Sequence, residues 1–207
     1  MIRHGHSMAN SRKEFGGQCD YALSDLGRLQ AEKCAEALKN EKIDAVYASD
    51  LKRAYDTAVP VAERQELSIV LHKGLREIFA GDWEGKLFDE LCVKYEADYT
   101  VWRTDIGRAR CTGGESVAEL SERVLKALSD IAKDNEGKTV CIATHATPIR
   151  AVCAAASGLD ACEMAKIPWV SNASISVFEY DGGVLRAVEV DNARHLGDLK
   201  TNLPANV

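Results

Sequence analysis

The sequence predicts an α/β fold: a three-layer α/β/α sandwich around a mostly parallel mixed sheet, with a small insertion over the site end. Two observations carry this. A short apolar run, a polar turn and a helix follow one another twice, from Ile43 and again from Thr139, and two alternating stretches flank Asp181-Gly182-Gly183. Helices alternating with short buried strands argue for parallel pairing. The Asp-Gly-Gly turn closes a hairpin, so the sheet is mixed at one edge. Residues 1–207 are expected to form one domain, with an insertion at about 86–114.

Ser24 is placed as an N-cap, and Leu26, Gln30, Cys34 and Leu38 form a stripe with Ala31 and Ala35 beside it, which predicts the first helix. Ile43 and Ala45 to Ala48 read as a strand that stops at Ser49 and Asp50; "LKRAYDTAVPVAERQ" then reads as a helix. Within "KLFDELCVKYEADYTVWRTDIGRARCTG", Phe88, Leu91, Cys92, Tyr95, Tyr99 and Trp102 have helical spacing, with a looser stretch after them. Ser116 and Glu119 form a capping box, and Val117, Leu120, Val124, Leu128 and Ile131 carry that helix to about Asn135. Thr139 to Ala143 is a continuous apolar strand that ends in Thr144 and His145, and Pro148 opens the next helix.

With 46% hydrophobic and 28% charged residues the chain is a folded globular protein, and its net charge of −6 disfavours nucleic acid and anionic membranes as partners. No apolar run is long enough to span a bilayer and no leader is visible, so the chain is expected to be cytoplasmic. Its seven cysteines have no C-x-x-C pair and read as reduced thiols.

Three polar clusters occupy equivalent places. Arg3 and His4 follow the first strand, Arg53 opens the helix after "AVYA", and His145 ends "TVCIAT". Ligands of open α/β sheets bind outside the carboxyl ends of the strands, so these clusters can meet in one crevice. Two arginines and two histidines suit a phosphoryl group. Arginine keeps its charge and offers a planar fork of donors, and a neighbouring cation holds a histidine neutral and nucleophilic.

"RHGHSMAN", "SDLKRAYDTA", "LREIFAGDWEG", "GGESVAELSERV" and "THATPIR" resemble, in order and spacing, the motifs of the histidine phosphatase superfamily, phosphoglycerate-mutase-like branch. "VSNASISVFEYDGG" and His195-Leu196 are similar too, so the resemblance covers nearly the whole chain. It implies that His4 is the nucleophile and becomes a phosphohistidine. Arg3, Arg53 and His145 would surround the phosphoryl oxygens, with Asn10 as a further donor, and Glu77 would be general acid and then base. His4 should keep one ring nitrogen free to attack while the other donates to a backbone carbonyl, and partial burial beside a dianion should raise the Glu77 pKa. The scheme requires no metal and no cofactor.

Asp82 and Glu84 compete with Glu77 as the carboxylate. His6 stands where family members more often carry Glu or Gln; it is read as a rim residue, since no further ligand completes a metal set with His4. Arg103, Arg108 and Arg110 could meet a second acidic group, but are read as a solvated turn balanced by Asp105 and Glu115. Trp83 and Trp102 fit pocket or core equally. The short insertion favours a phosphatase for a small phosphorylated metabolite; a phosphoglycerate-mutase-type transfer is the alternative, and an inactive phospho-ligand-binding module a third reading. A homodimer stays open. Members of the family carry about five apolar residues before the R-H-G triplet where this chain has Met1 and Ile2, so either a start assigned too late or a weakened central strand is expected.

Overall fold

The computed structural model describes residues 1–201. Its strands are β1 (Ile2–Arg3), β2 (Ala45–Ala48), β3 (Ile69–Leu71), β4 (Val140–Thr144), β5 (Ile175–Asp181) and β6 (Val184–Asn192). They form one sheet in the order β3-β2-β4-β1-β5-β6. The first four are parallel, and β5 and β6 add an antiparallel edge. The sheet is therefore mixed as the sequence predicts. Gly182 and Gly183 both have positive φ, 53° and 89°, which a two-residue hairpin turn demands.

Alternation along the strands separates two cores. Val46, Ala48, Cys141 and Ala143 face α2 (Asp25–Ala37) and α3 (Lys52–Arg64). Tyr47 and Ile142 face the opposite layer, built on α6 (Val117–Asp134) and α7 (Ala146–Ala156). Three layers follow from this period of two. Ser24 caps α2 by accepting from Gly27 N, and Ser116 and Glu119 form the expected capping box on α6, whose predicted stripe is buried throughout. The helix after β4 starts at Ala146, ahead of Pro148; a proline is tolerated there because first-turn N–H groups have no helical acceptor.

Two short elements escape the sequence pattern: α1 (Met8–Arg12) and the edge strand β3. The helical spacing over 88–102 also needs correction. It divides into α4 (Phe88–Lys94) and α5 (Glu96–Thr104) at Tyr95, whose φ of −127° and ψ of 37° leave the helical region. The break lets Leu91 and the later Tyr99 and Trp102 enter one core. There Phe15, Trp83, Tyr99 and Trp102 meet edge to face at centroid distances of 5.1 to 6.0 Å. Both tryptophans are thus core residues, packed with Leu120 and Val124 of α6.

β1 is central but short. It pairs Ile2 with Ala143 and Ile175, and Arg3 with Thr144. The backbone of Met1 adds bonds to Ser176, with Ser176 N donating to Met1 O at 2.8 Å.

Candidate active site

The polar clusters converge at the carboxyl ends of the parallel strands. Arg3 closes β1 and His4 follows it; Arg53 lies in the first turn of α3 after β2; His145 leaves β4 and stands just before α7. His4 N donates to Thr144 O at 2.8 Å, which ties the end of β1 to β4. The His4 and His145 rings then meet edge to face at 5.2 Å.

His4 Nδ1 lies 2.7 Å from Gly5 O. A carbonyl only accepts, so Nδ1 carries the proton and Nε2 keeps its lone pair. Arg53 Nε donates to Nε2 at 3.3 Å. Burial, followed by Arg53 and Arg3, holds the His4 pKa well below the usual histidine value, so the ring is neutral. Arg53 is fixed by donating to Cys19 O and Gly17 O, each at 2.8 Å. Arg3 donates through Nη1 to Val170 O, and its buried Nε has no partner among the described residues; burial pulls its pKa down to about 10, opposed by Glu77.

Among the three candidate carboxylates, position separates the roles. Glu77 is half-buried, with Oε1 accepting from Ile78 N at 2.8 Å and Oε2 from Thr147 N at 3.4 Å, beside His145. Glu84 instead accepts from Gln18 N and Ala80 N, joining the loop that holds Arg53 to the segment after Glu77. Asp82 is exposed. Asn10 Oδ1 accepts from Ser7 N and Ser7 Oγ as part of the cap of α1, and from Asn172 Nδ2. Its oxygen is committed to the cap and to Asn172, so any contact with an anion falls to its Nδ2.

His6 bonds Ser24 Oγ through Nδ1 at 2.9 Å. Among the described residues no three His, Cys, Asp or Glu side chains gather as metal ligands. Arg108 pairs with Asp105 as expected, but Arg110 pairs with Glu119 rather than Glu115. Glu115 is taken by Arg123, two turns further along the chain and half-buried with it.

That pair is the largest feature the sequence reading missed. Arg123 donates to Gly74 O, Arg76 O and Glu77 O at 2.8 to 3.1 Å, and Glu115 accepts from Phe79 N, so the two grip the backbone on both sides of Glu77. Arg123→Met is expected to lower kcat/KM about tenfold or more and to destabilise the fold by about 2–3 kcal/mol, because Glu115 is left half-buried and unpaired; steady-state kinetics and urea titration check both. Asn172 was missed as well. It donates to His4 O, and Thr57 Oγ1 accepts from Gly5 N at 3.0 Å, so the nucleophile's backbone is held from two sides.

Burial also depresses the pKa of His145 well below the usual value, with Arg53 and His4 next in effect. Below about pH 6.5 the unfolded chain therefore takes up protons that these two native histidines refuse. The linked stability is complete above that pH and falls as pH drops, by up to about 1.4 kcal/mol per pH unit for each histidine. Urea midpoints measured from pH 7.5 to 5 should fall, and His145→Gln should flatten the slope.

A neutral imidazole among buried guanidinium groups, at the carboxyl end of a mixed α/β sheet, is an arrangement chemically suited to a phosphoryl group. The chain belongs to the histidine phosphatase superfamily (branch 1), whose family profile matches residues 1–193. It is 32% identical over 198 residues to phosphoserine phosphatase 1 of Hydrogenobacter thermophilus, covering 96% of this chain and 93% of that one. It is 34% identical to phosphoglycerate mutase-like protein 4 of Arabidopsis thaliana, over 88% and 79% of the two chains. The structure of a mycobacterial glucosyl-3-phosphoglycerate phosphatase complexed with VO3 superposes with a TM-score of 0.85 at 30% identity, covering 93% of this chain and 98% of that one. The protein is a histidine phosphatase, a phosphoric monoester hydrolase. Among the described residues no helix is long and apolar enough to cross a membrane.

Proposed function

We propose that the site residues divide the work as follows. His4 Nε2 attacks the phosphorus of a small phosphomonoester and forms an N–P bond as the bond to the leaving oxygen breaks. Glu77, as the carboxylic acid, gives that oxygen its proton. Water then attacks the phosphohistidine, Glu77 as carboxylate takes the proton, and the N–P bond breaks to release phosphate and free His4. Arg3, Arg53, His145 and the Asn10 amide face the equatorial oxygens, where fixed donors stabilise the charge that develops in the transition state.

The single observation that carries this reading is the His4 ring itself: protonated on Nδ1 by its bond to Gly5 O, neutral, and with Nε2 among cations. The relatives' names specify phosphoserine and glucosyl-3-phosphoglycerate, and the substrate here is of the same broad class, a small phosphorylated metabolite. Hydrolysis is favoured over a mutase reaction because a mutase must hold a second anionic group, while two of the three arginines considered for one, Arg110 and Arg108, already have carboxylate partners in Glu119 and Asp105. The free thiol state of all seven cysteines supports a cytoplasmic setting. The test is to incubate the protein with 32P-labelled phosphomonoesters and follow acid-labile label on the chain. Wild type should trap a phosphohistidine that His4→Ala lacks. Equal phosphate release by the two proteins overturns the reading, and label moving between substrate positions faster than its release indicates a mutase.

A further inference from the structure

We propose that Ser49 is a positioning residue that fixes which nitrogen of His145 carries the proton, and so makes His145 a donor toward the phosphoryl group. The proposal rests on the reading that His145 faces that group. His145 is fully buried, its Nε2 lies 2.9 Å from Ser49 Oγ, and its buried Nδ1 has no hydrogen-bond partner among the described residues. Ser49 is itself fully buried at the end of β2, where its N donates to Ala143 O at 2.9 Å in the strand that leads to His145. Its oxygen already accepts from Leu51 N at 3.3 Å.

The hydroxyl has one proton to give, and among the described residues the only acceptor recorded within its reach is His145 Nε2. If Nε2 instead carried the ring proton, Ser49 Oγ would accept twice and its own O–H would be buried without a partner. Nδ1 would then be a bare lone pair, which repels an anion. With Ser49 donating to Nε2, the hydroxyl proton is used and the one remaining hydrogen of the pair, on Nδ1, is an N–H available to an incoming anion. His145 stays neutral because burial and the adjacent Arg53, His4, Arg123 and Arg3 all disfavour its cation, so the choice of tautomer decides whether it can donate at all.

The two histidines are therefore set in the same tautomer by different partners. His4 holds its Nδ1 proton by donating to Gly5 O, which leaves Nε2 unprotonated, with its lone pair facing the Arg53 guanidinium. His145 is given its Nδ1 proton by accepting at Nε2, which leaves Nδ1 free to donate.

The test uses 15N-histidine-labelled full-length protein, with the His145 resonances assigned by their loss in His145→Gln. Nitrogen shifts of the wild type at pH 7 should show Nε2 as the unprotonated, hydrogen-bond-accepting nitrogen and Nδ1 as the protonated one. In Ser49→Ala the two forms should become mixed. With p-nitrophenyl phosphate, kcat should fall about ten- to hundredfold and orthophosphate inhibition should weaken, with Ser49→Thr restoring the wild-type shifts and most of the rate. A wild-type protein with the proton on Nε2, or a Ser49→Ala protein with unchanged tautomer and rate, overturns the proposal. Because the shifts are read without turnover, failure of the catalytic reading appears separately, as no loss of rate on His4→Ala.

Discussion

Gly27→Ala is expected to destabilise the protein by more than about 3 kcal/mol and to lower kcat/KM at least a hundredfold, although residue 27 touches no substrate. A Cβ at Gly27 would stand 2.0 Å from His6 O and 3.0 Å from His6 N, and one at Gly5 would stand 2.6 Å from Gly27 O. All of these neighbours are backbone atoms, so nothing can swing aside. The contact is where the start of α2 docks onto the segment after the nucleophile, with Ser24 N donating to His6 O at 2.9 Å. Making room means moving residues 5 and 6, and His4 with them. Gly137 provides the control. Its φ is 72° but a Cβ there meets nothing within 4 Å, so Gly137→Ala should cost only about 1 kcal/mol of left-handed strain and leave kcat/KM unchanged. Urea midpoints and initial rates on both variants settle the matter; a stable, active Gly27→Ala would show that the two backbones can part without moving the site.

Arg53→Lys should lower kcat about a thousandfold despite keeping the charge. The guanidinium spans Gly17 O, Cys19 O and His4 Nε2 at once, and an ammonium on a single stem cannot reach all three. Arg53→Ala adds a second, diagnostic effect. Arg53 is, after burial, the largest cause of the lowered His4 pKa, so its loss lets that pKa rise toward the ordinary value of 6.5. The nucleophile must be neutral, so activity in the variant should fail at a higher pH than in wild type as the medium is acidified. A pH profile of kcat/KM on both proteins shows this as an upward shift of the acid limb, and superimposable limbs would remove Arg53 from control of the nucleophile.

What could be read from the sequence has a physical pattern. The capped helix from Val117 and the apolar strand from Val140 were legible because each carries its own periodicity over many residues. The meeting of Arg3, His4, Arg53 and His145 at the strand ends, with Glu77 beside His145, was legible too, since the motifs around them resemble those of the family and strand ends collect ligands. The short pieces were not. α1 is five residues long and the β3 edge three, too few to display a period. The break at Tyr95 was hidden because residues on both sides of it pack into one core. The pairing of Arg123 with Glu115 was invisible for another reason. Glu115 has Arg110 and Arg123 within eight positions, and only the fold brings Arg123 over the carbonyls of Gly74 to Glu77. Ser49 and Asn172 lay inside quoted motifs without a role, because hydrogen-bond direction is a three-dimensional property.

Arg3, Arg53 and Arg150 are all buried, and among the described residues their donors meet backbone carbonyls and the His4 ring rather than a carboxylate partner. Burial depresses the pKa of each, as expected of cations in an environment that does not fully compensate them. An anion that settles against Arg3 and Arg53 thus strengthens the fold itself, by about 2.7 kcal/mol at a hundred times its dissociation constant. Resistance to unfolding should therefore rise with the concentration of phosphate or phosphoester around the protein, so that occupancy of the site and stability of the fold are one quantity read in two ways.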